Sequence, residues 1–249
     1  MDDTDWFAGR VAATYDEDTA AMSGEVALAP MLDLLQELAG GGPALEFAIG
    51  TGRVALPLAA RGVPVSGIEH SPDMLARLRA KPDGDAARIP VVVGDMATSR
   101  MQDAGAYRLV YLVFNTLGNL TTQDAQVECF RNAAHHLAPG GRFLVEIEVP
   151  ALRRLVPGER LVVFDRSDDH IGIDEYDVAT QAMWSHHASF RSDGRVERFS
   201  MPFRYVWPAE LDLMARIAGM RLVHRWADWS RAPFTSESPS HVSVWEKLA

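Results

Sequence analysis

Along residues 44–149 the apolar positions switch repeatedly between two periods, and each switch predicts an element boundary. Apolar runs at 44–49, 65–68, 89–93, 107–114 and 142–149 have strand length, and the run at 107–114 reads as a strand buried on both faces. Between the runs, apolar residues recur every three or four positions, as on one face of a helix. One helix begins near Arg53. A second opens at Ser71-Pro72-Asp73, an N-cap followed by a proline at the first helical position and an early acid, with Met74, Leu75 and Leu78 on its apolar side. A third starts at Thr121 and Asp124, which have capping-box spacing, carries Val127, Phe130, Ala134 and Leu137 on one face, and ends at Pro139-Gly140-Gly141.

Strands alternating with helices predict a mostly parallel sheet, with ligands at the carboxyl ends of its strands. Gly52, Glu69, Asp95 and Asn115 all fall at such ends. At 150–207 the rhythm changes to short alternating runs broken by Pro157-Gly158, Ser167-Asp168-Asp169 and Ser192-Asp193-Gly194, which predicts antiparallel strands. The last of these breaks makes 181–191 and 195–207 a hairpin. The segment reads as a β-rich insertion over the strand ends. Trp207-Pro208-Ala209-Glu210 then restarts a helix that Gly219 closes, and 220–226 and 241–248 read as two strands able to pair antiparallel.

A chain of 249 residues, 47% hydrophobic and 23% charged, can bury a full core, so one α/β domain over 1–249 is expected, with a helical cap at 1–40. Its 34 acidic and 24 basic residues are dispersed, leaving no basic stripe for a phosphate backbone; nucleic acid is not an expected partner. The single cysteine, Cys129, cannot form an internal disulfide and reads as a small helix residue. No apolar stretch has the length to span a bilayer, and the acidic start Met1-Asp2-Asp3-Thr4-Asp5 is the reverse of a basic leader. The expectation is a cytoplasmic protein with no membrane partner; a homodimer is left open.

Chemistry concentrates where the first apolar run stops at Gly50-Thr51-Gly52-Arg53 and the second ends on Glu69. The glycines permit a tight turn and close backbone approach, the next helix aims free N–H groups at a ligand, and Glu69 can accept from two ribose hydroxyls. The third glycine of a dinucleotide cradle is missing, which disfavours a pyrophosphate. These residues resemble the first motif of the class I S-adenosylmethionine-dependent methyltransferases, acidic-x-Gly-x-Gly-x-Gly, with Glu46, Gly50 and Gly52 matching and Ala48 in place of the first glycine. Gly94-Asp95-Met96 and Leu137-Ala138-Pro139-Gly140-Gly141 extend the likeness to about residue 149. The stretch from Phe114 to Leu120, with the insertion after the fifth strand, is similar to small-molecule bacterial methyltransferases such as the amino-sugar N,N-dimethyltransferases.

The resemblance implies a Rossmann-like, doubly wound, seven-stranded sheet of order 3-2-1-4-5-7-6 with its last strand antiparallel. It implies S-adenosyl-L-methionine as cofactor and a small-molecule methyl acceptor, N- or O-methylated. It places Glu46 and Gly50 near the methionine end, Glu69 on the ribose and Asp95 on the adenine amino group, with His70, Met74 and Met96 flanking the adenine. Ala48, Gly52 and Val113 belong to the same cofactor set, and Tyr15 resembles a tyrosine that closes over the cofactor. Plainer readings exist: Asp95 as a turn residue, Glu69 as a helix-flanking acid, Tyr15 as a packing aromatic.

Candidates on the acceptor side are Asn115 and Asn119, Glu146 and Glu148, and His170, Tyr176, His186, His187 and Tyr205, of which Asn115, Glu148, His186 and Tyr205 are the catalytic candidates. Glu146 and Glu148 share one side of their strand, with Glu148 nearer the mouth. Adjacent histidines diverge, so neither His135-His136 nor His186-His187 chelates a metal alone, and no metal is expected; one of His186 and His187 must face inward. Phe199, Met201, Phe203, Tyr205 and Trp207 alternate along one strand face, as core or as a grip for substrate. Two rival functions remain at this point: a cofactor-binding sensor without catalysis, and a nicotinamide-dependent oxidoreductase.

Overall fold

The structure, a computed structural model, describes residues 4–81 and 88–249; Met1, Asp2 and Asp3 of the acidic start lie outside the described residues. In chain order the strands are β1 (Ala44–Phe47), β2 (Val65–Glu69), β3 (Val91–Val93), β4 (Tyr107–Leu112), β5 (Leu137–Glu148), β6 (Leu161–Arg166), β7 (His170–Tyr176), β8 (Ala182–Phe190), β9 (Val196–Arg204), β10 (Met220–Trp226) and β11 (Ser240–Lys247). The α-helices are α1 (Arg10–Asp18), α2 (Glu25–Ala39), α3 (Ala55–Ala60), α4 (Pro72–Ala80), α5 (Gln123–His136) and α6 (Pro208–Ile217).

Seven strands form one sheet in the order β10-β11-β5-β4-β1-β2-β3, with β1 through β5 parallel and β11 antiparallel to both neighbours. Counted within this sheet the order is 3-2-1-4-5-7-6, the Rossmann-like arrangement expected. Every residue of β1 is buried because β2 and β4 flank it and helices cover both faces. On one face Phe47, Val110, Phe143 and Trp245 pack with Phe130 of α5 and Leu211 of α6. On the other, Leu109, Leu144 and Val244 pack with Leu35 of α2, Leu58 of α3 and Leu78 of α4.

The boundaries shift where side chains decide them. Ser71 caps α4 through the amide of Met74, as its sequence context predicts. The cap of α5 is Thr122, whose side chain accepts from Ala125, one residue beyond the predicted Thr121. The helix after the glycine turn starts at Ala55 instead of Arg53. Extended pairing resumes directly at Leu137, which aligns with Tyr107, so β5 begins five residues before Arg142. Within the expected 1–40 cap, α2 is a full layer of the main sheet, burying Leu28, Met31, Leu32, Leu34, Leu35 and Leu38. α1 instead packs beside α4, where Arg77 donates to the Ala13 carbonyl and Gly9 N–H to Asp73.

Within 150–207 the four strands from Leu161 to Arg204 form a second, antiparallel sheet, β6-β7-β8-β9. It is fastened to the body through Arg204, a 4% exposed arginine at the end of β9. Its guanidinium donates to Gln126 Oε1 of α5 (2.5 Å), to Gln181 Oε1 (3.0 Å) and to Glu210 Oε1 of α6 (2.7 Å). Gln126 returns a bond to the Arg204 carbonyl (3.1 Å). Because each partner is buried or half-buried, Arg204→Met leaves Gln126 Oε1 without its donor and Glu210 without a counter-charge, held only by Gln123 and Gln181. The expected result is a loss of about 3–5 kcal/mol in urea unfolding, against less than about 1 kcal/mol for the exposed pair partner Arg195→Met.

Candidate active site

The order reverses between β1 and β4, and the crevice outside their carboxyl ends is where an open α/β sheet takes its ligand. The turn after β1 is built for close approach. Gly50 and Gly52 adopt φ of 58° and 80° in the left-handed region, and a Cβ on Gly52 would sit 2.2 Å from Leu78 Cδ1. Ala48 also has positive φ (52°), so the one departure from the glycine motif is accommodated as a strained alanine.

Glu69 holds this turn in shape. Gly50 N–H donates to its Oε2 (2.6 Å) and Ser71 N–H to its Oε1 (2.8 Å). The side chain is 5% exposed, and burial raises its pKa against the pull of those two amides. Glu46 is deeper still. Tyr111 donates to it (3.0 Å), and loss of water drives its pKa up to about 8, only partly offset by the Tyr111 bond and by Arg53. Asp95 accepts from Ala97 N–H through Oδ1 (2.7 Å), an Asx turn just past β3, and Gly94 N–H bonds the Glu69 carbonyl (2.8 Å), bringing the two strand ends together.

The N-terminal helix closes on this group. Thr51 donates to Asp16 (2.6 Å), Lys81 pairs with Asp16 (3.2 Å), Arg77 donates to the Ala13 carbonyl (2.6 Å) and Gly9 N–H to Asp73 (2.7 Å). Tyr15 is thereby brought into the field of Arg53, Glu46 and Glu69, and its burial raises its pKa. Met74, Met96 and Val113 are buried near the turn and the strand ends, while His70 is exposed. A separate groove of about 600 Å³, lined by Asp16, Glu25, Leu28, Gly52 and Arg53 among others, opens beside α2 and α3 and includes neither Glu69 nor Asp95.

Beyond β4 the chain takes two consecutive left-handed residues, Phe114 (φ 61°) and Asn115 (φ 59°). β5 stabilises both: Phe114 N–H donates to Glu146 (2.7 Å), and Asn115 Oδ1 accepts from the Glu148 amide (2.6 Å). Arg53 lies over the Phe114 ring at 4.9 Å. Above this floor stands the inner face of the second sheet, where alternation presents Gly172, Asp174 and Tyr176 from β7, Met183, Ser185 and His187 from β8, and Phe199, Met201 and Phe203 from β9. Tyr176 and Tyr205 meet edge-on at 5.5 Å. Glu148 reaches solvent, yet the crowding around it and the nearby Asp174 raise its pKa.

Among the catalytic candidates, Asn115, Glu148 and Tyr205 meet at this chamber, and His186 does not. Strand alternation sends His186 to the opposite face, where Nδ1 bonds Ser200 (2.8 Å) and Nε2 lies 3.6 Å from Glu175; His187 is the inward member of the pair. His136 is a core group: Met101 N–H donates to its Nε2 (3.0 Å), so Nδ1 carries the proton to the Asn132 carbonyl (2.8 Å), and burial lowers its pKa to about 4. Asp174 and Phe114 were missed from the sequence. Asp174 carried a signal in its even spacing from Gly172 and Tyr176, whereas at Phe114-Asn115 only the asparagine is a residue that favours left-handed backbone and nothing marks Phe114.

Comparison with known proteins agrees with this geometry. Residues 44–141 match the methyltransferase domain family. The whole chain superposes on the structure of the CcbJ methyltransferase from Streptomyces caelestis, with TM-score 0.83, 35% identity and 100% of both chains covered. The chain belongs to the S-adenosylmethionine-dependent methyltransferases. The cypemycin N-terminal methyltransferase of a Streptomyces species is 27% identical over 213 residues, 83% of this chain and 84% of that one. The fold is shared with the S-adenosylmethionine-bound amino pentose methyltransferase CalS10 of Micromonospora echinaspora, at TM-score 0.67 and 19% identity, covering 94% and 96%. Membership in the family supports methyl transfer over the nicotinamide alternative.

The high pKa of Glu46 has a consequence for stability. A carboxyl whose folded pKa of about 8 exceeds its unfolded value near 4.5 binds more protons in the folded state, so stability falls as pH rises through that window. Below pH 6.5 the lowered histidines, His136 near 4 and His241 near 3, act in the opposite sense. Between pH 6.5 and 8 the cofactor-free protein should therefore lose on the order of 2 kcal/mol, and Glu46→Gln should flatten that slope in parallel thermal melts.

Proposed function

We propose that this methyltransferase modifies an amine nitrogen on a small molecule. The observation that carries the reading is the charge of the chamber beyond the strand tips. Glu146, Glu148 and Asp174 converge there with Phe114, Tyr176 and Tyr205, and among the described residues none of the three acids forms an ion pair with lysine or arginine. A negative, aromatic-walled space attracts an ammonium and releases it as the neutral amine once a carboxylate takes its proton. Two proteins similar to this chain, an N-terminal methyltransferase and an amino pentose methyltransferase, are named for nitrogen-bearing substrates.

The cofactor residues fit an adenosyl sulfonium. Gly50, Gly52 and Ala48 give the bare turn, Glu69 and Asp95 stand at successive strand ends for ribose and adenine, Met74, Met96 and Val113 supply apolar contact, His70 borders the rim, and Tyr15 covers the methionine end beside Glu46. When bound, the sulfonium supplies an already activated methyl group. The protein's share is alignment in a water-poor space, and effective molarities of well-oriented reactions are worth roughly 7–11 kcal/mol. Phe114 and Asn115 shape the passage between the two chambers, and Glu148, positioned through its amide by Asn115, is the acceptor-side base. The small-molecule assignment, cytoplasmic operation and single-domain organisation belong to the same reading.

Transfer of isotope-labelled methyl from S-adenosylmethionine to a panel of primary and secondary amines, phenols and carboxylates tests it. Amine products alone support the reading, and exclusive O-methylation overturns it. Glu148→Gln should lower kcat by about 100-fold at neutral pH, less at high pH where the amine is already neutral. Glu69→Gln should weaken S-adenosylhomocysteine binding by about tenfold or more in calorimetry, the cost of a charge-assisted bond. Because Glu46 is protonated near neutrality without ligand, binding the cationic cofactor should release a proton. Calorimetry at pH 7 in buffers of different ionisation enthalpy should detect this release, and Glu46→Gln should abolish it.

A further inference from the structure

The inner face of the second sheet carries an unbroken row of polar side chains in an otherwise apolar and aromatic surface. It starts at the sheet's outer edge, where Asp165 Oδ2 of β6 lies 2.5 Å from His170 Nδ1 of β7. His170 Nε2 lies 3.1 Å from His187 Nδ1 of β8, and His187 Nε2 lies 3.2 Å from Ser185 Oγ. Ser185 and Tyr176 in turn stabilise the carboxylate of Asp174, which is close enough to Glu148 to raise its pKa. Exposure falls along the row: the Asp165 side chain is 44% exposed, that of His170 24%, and Asp174 as a residue 9%.

Two features set the row apart from ordinary surface polarity. Register aligns it across three strands, because Gly172 pairs with both Asp165 and His187 and leaves room for the two imidazoles to meet. Phe164 covers that glycine and packs on both rings, at 6.4 Å from His170 and 5.5 Å from His187, while Phe199 closes the other side of His187 at 6.2 Å. The histidines are thus walled by phenylalanines and connected end to end.

We infer that the row Asp174–Ser185–His187–His170–Asp165 conducts the proton released in methyl transfer from the acceptor chamber to solvent. The inference rests on the amine reading above. Transfer of a methyl cation to a neutral amine forms the N–C bond, breaks the C–S bond and leaves an alkylammonium carrying one proton more than the product amine. Asp174, the buried acid of the chamber, takes that proton, Glu148 having taken the one the ammonium gave up before attack. With Asp174 protonated, its O–H donates to Ser185, Ser185 to His187 Nε2, His187 Nδ1–H to His170 Nε2, and His170 Nδ1–H to Asp165. Every donor then points outward, and a concerted shift of one proton per bond delivers one proton to Asp165 and restores the Asp174 carboxylate. No other atom changes place, and rotation of the Ser185 hydroxyl with tautomer exchange of the two rings resets the row. Burial raises the pKa of Asp174 and lowers that of His187, both in the direction the row needs. The charged neighbours that act on these groups are His170 of β7, His186 of β8 and Asp165 of β6 on His187, and His186 and Glu148 on Asp174.

Two independent readouts test the row in the full-length protein. In nitrogen-detected titrations of the histidine rings, Asp174→Asn should shift the titration midpoints of both His187 and His170 while leaving His136 in place; unmoved midpoints overturn the connection even if no acceptor is known. In amine methylation, His187→Phe should lower kcat by about tenfold or more with the acceptor KM little changed, and free imidazole should restore part of the rate in a concentration-dependent way. His170→Gln, nearer the surface, repeats the test with less risk to folding. A rate equal to the wild type, or a loss that imidazole does not relieve in a folded variant, overturns the inference. Failure of the wild-type protein to methylate any amine counts against the amine reading instead, and the ring titrations still decide the row.

Discussion

The carboxylate of Glu69 is the constraint on which the site depends. It ends β2, and its two oxygens accept amides from the turns after β1 and before α4. Those amides sit where the backbone must stay bare for a ligand, so helix or sheet bonds cannot satisfy them, and a buried unpaired N–H is costly. One side chain therefore holds two turns at the spacing that lets a small molecule lie across the strand tips. The parallel order and the switch between β1 and β4 place that spacing at the centre of the sheet.

Around this point the protein accumulates acids, and each is managed differently. Glu46 is held by Tyr111 and kept protonated near neutrality, Glu69 accepts two amides that pull its pKa down against the larger upward push of burial, and Glu146 is committed to the Phe114 amide. Glu148 and Asp174 are left facing the chamber with raised pKa values. A cationic sulfonium, and the amine proposed as acceptor, would suit this sequence of environments. The same acids would repel a phosphate or a carboxylate substrate.

Strain concentrates in the same region. Ala48, Phe114 and Asn115 take left-handed backbone at the tips of β1 and β4, conformations that cost a residue with a Cβ about 1–2 kcal/mol each. The hydrogen bonds from Phe114 to Glu146 and from the Glu148 amide to Asn115 over-determine the second pair. Arg204 performs the corresponding service for the second sheet: by tying β9 to α5 and α6 it fixes the face that carries Asp174, Ser185 and His187 above the strand ends.

Local sequence determined the main sheet, because its signals are short-range: apolar runs of strand length, Ser71-Pro72 as a helix start, the glycines after β1, and acids ending strands. The seven-stranded order and the insertion hairpin were legible through those signals and the family resemblance they carry. Cap and boundary positions drifted by one to a few residues where competing neighbours, such as Thr121 and Thr122, offer the same chemistry. Tertiary structure alone decided which of His186 and His187 faces inward, because a shift of one residue in strand register reverses every side chain, and that register is set by pairing with β7 and β9. It also decided that Glu46 is protonated near neutrality and that Asp165, His170, His187 and Ser185 join, since burial and contact between residues distant in the chain exist only once the sheets have packed.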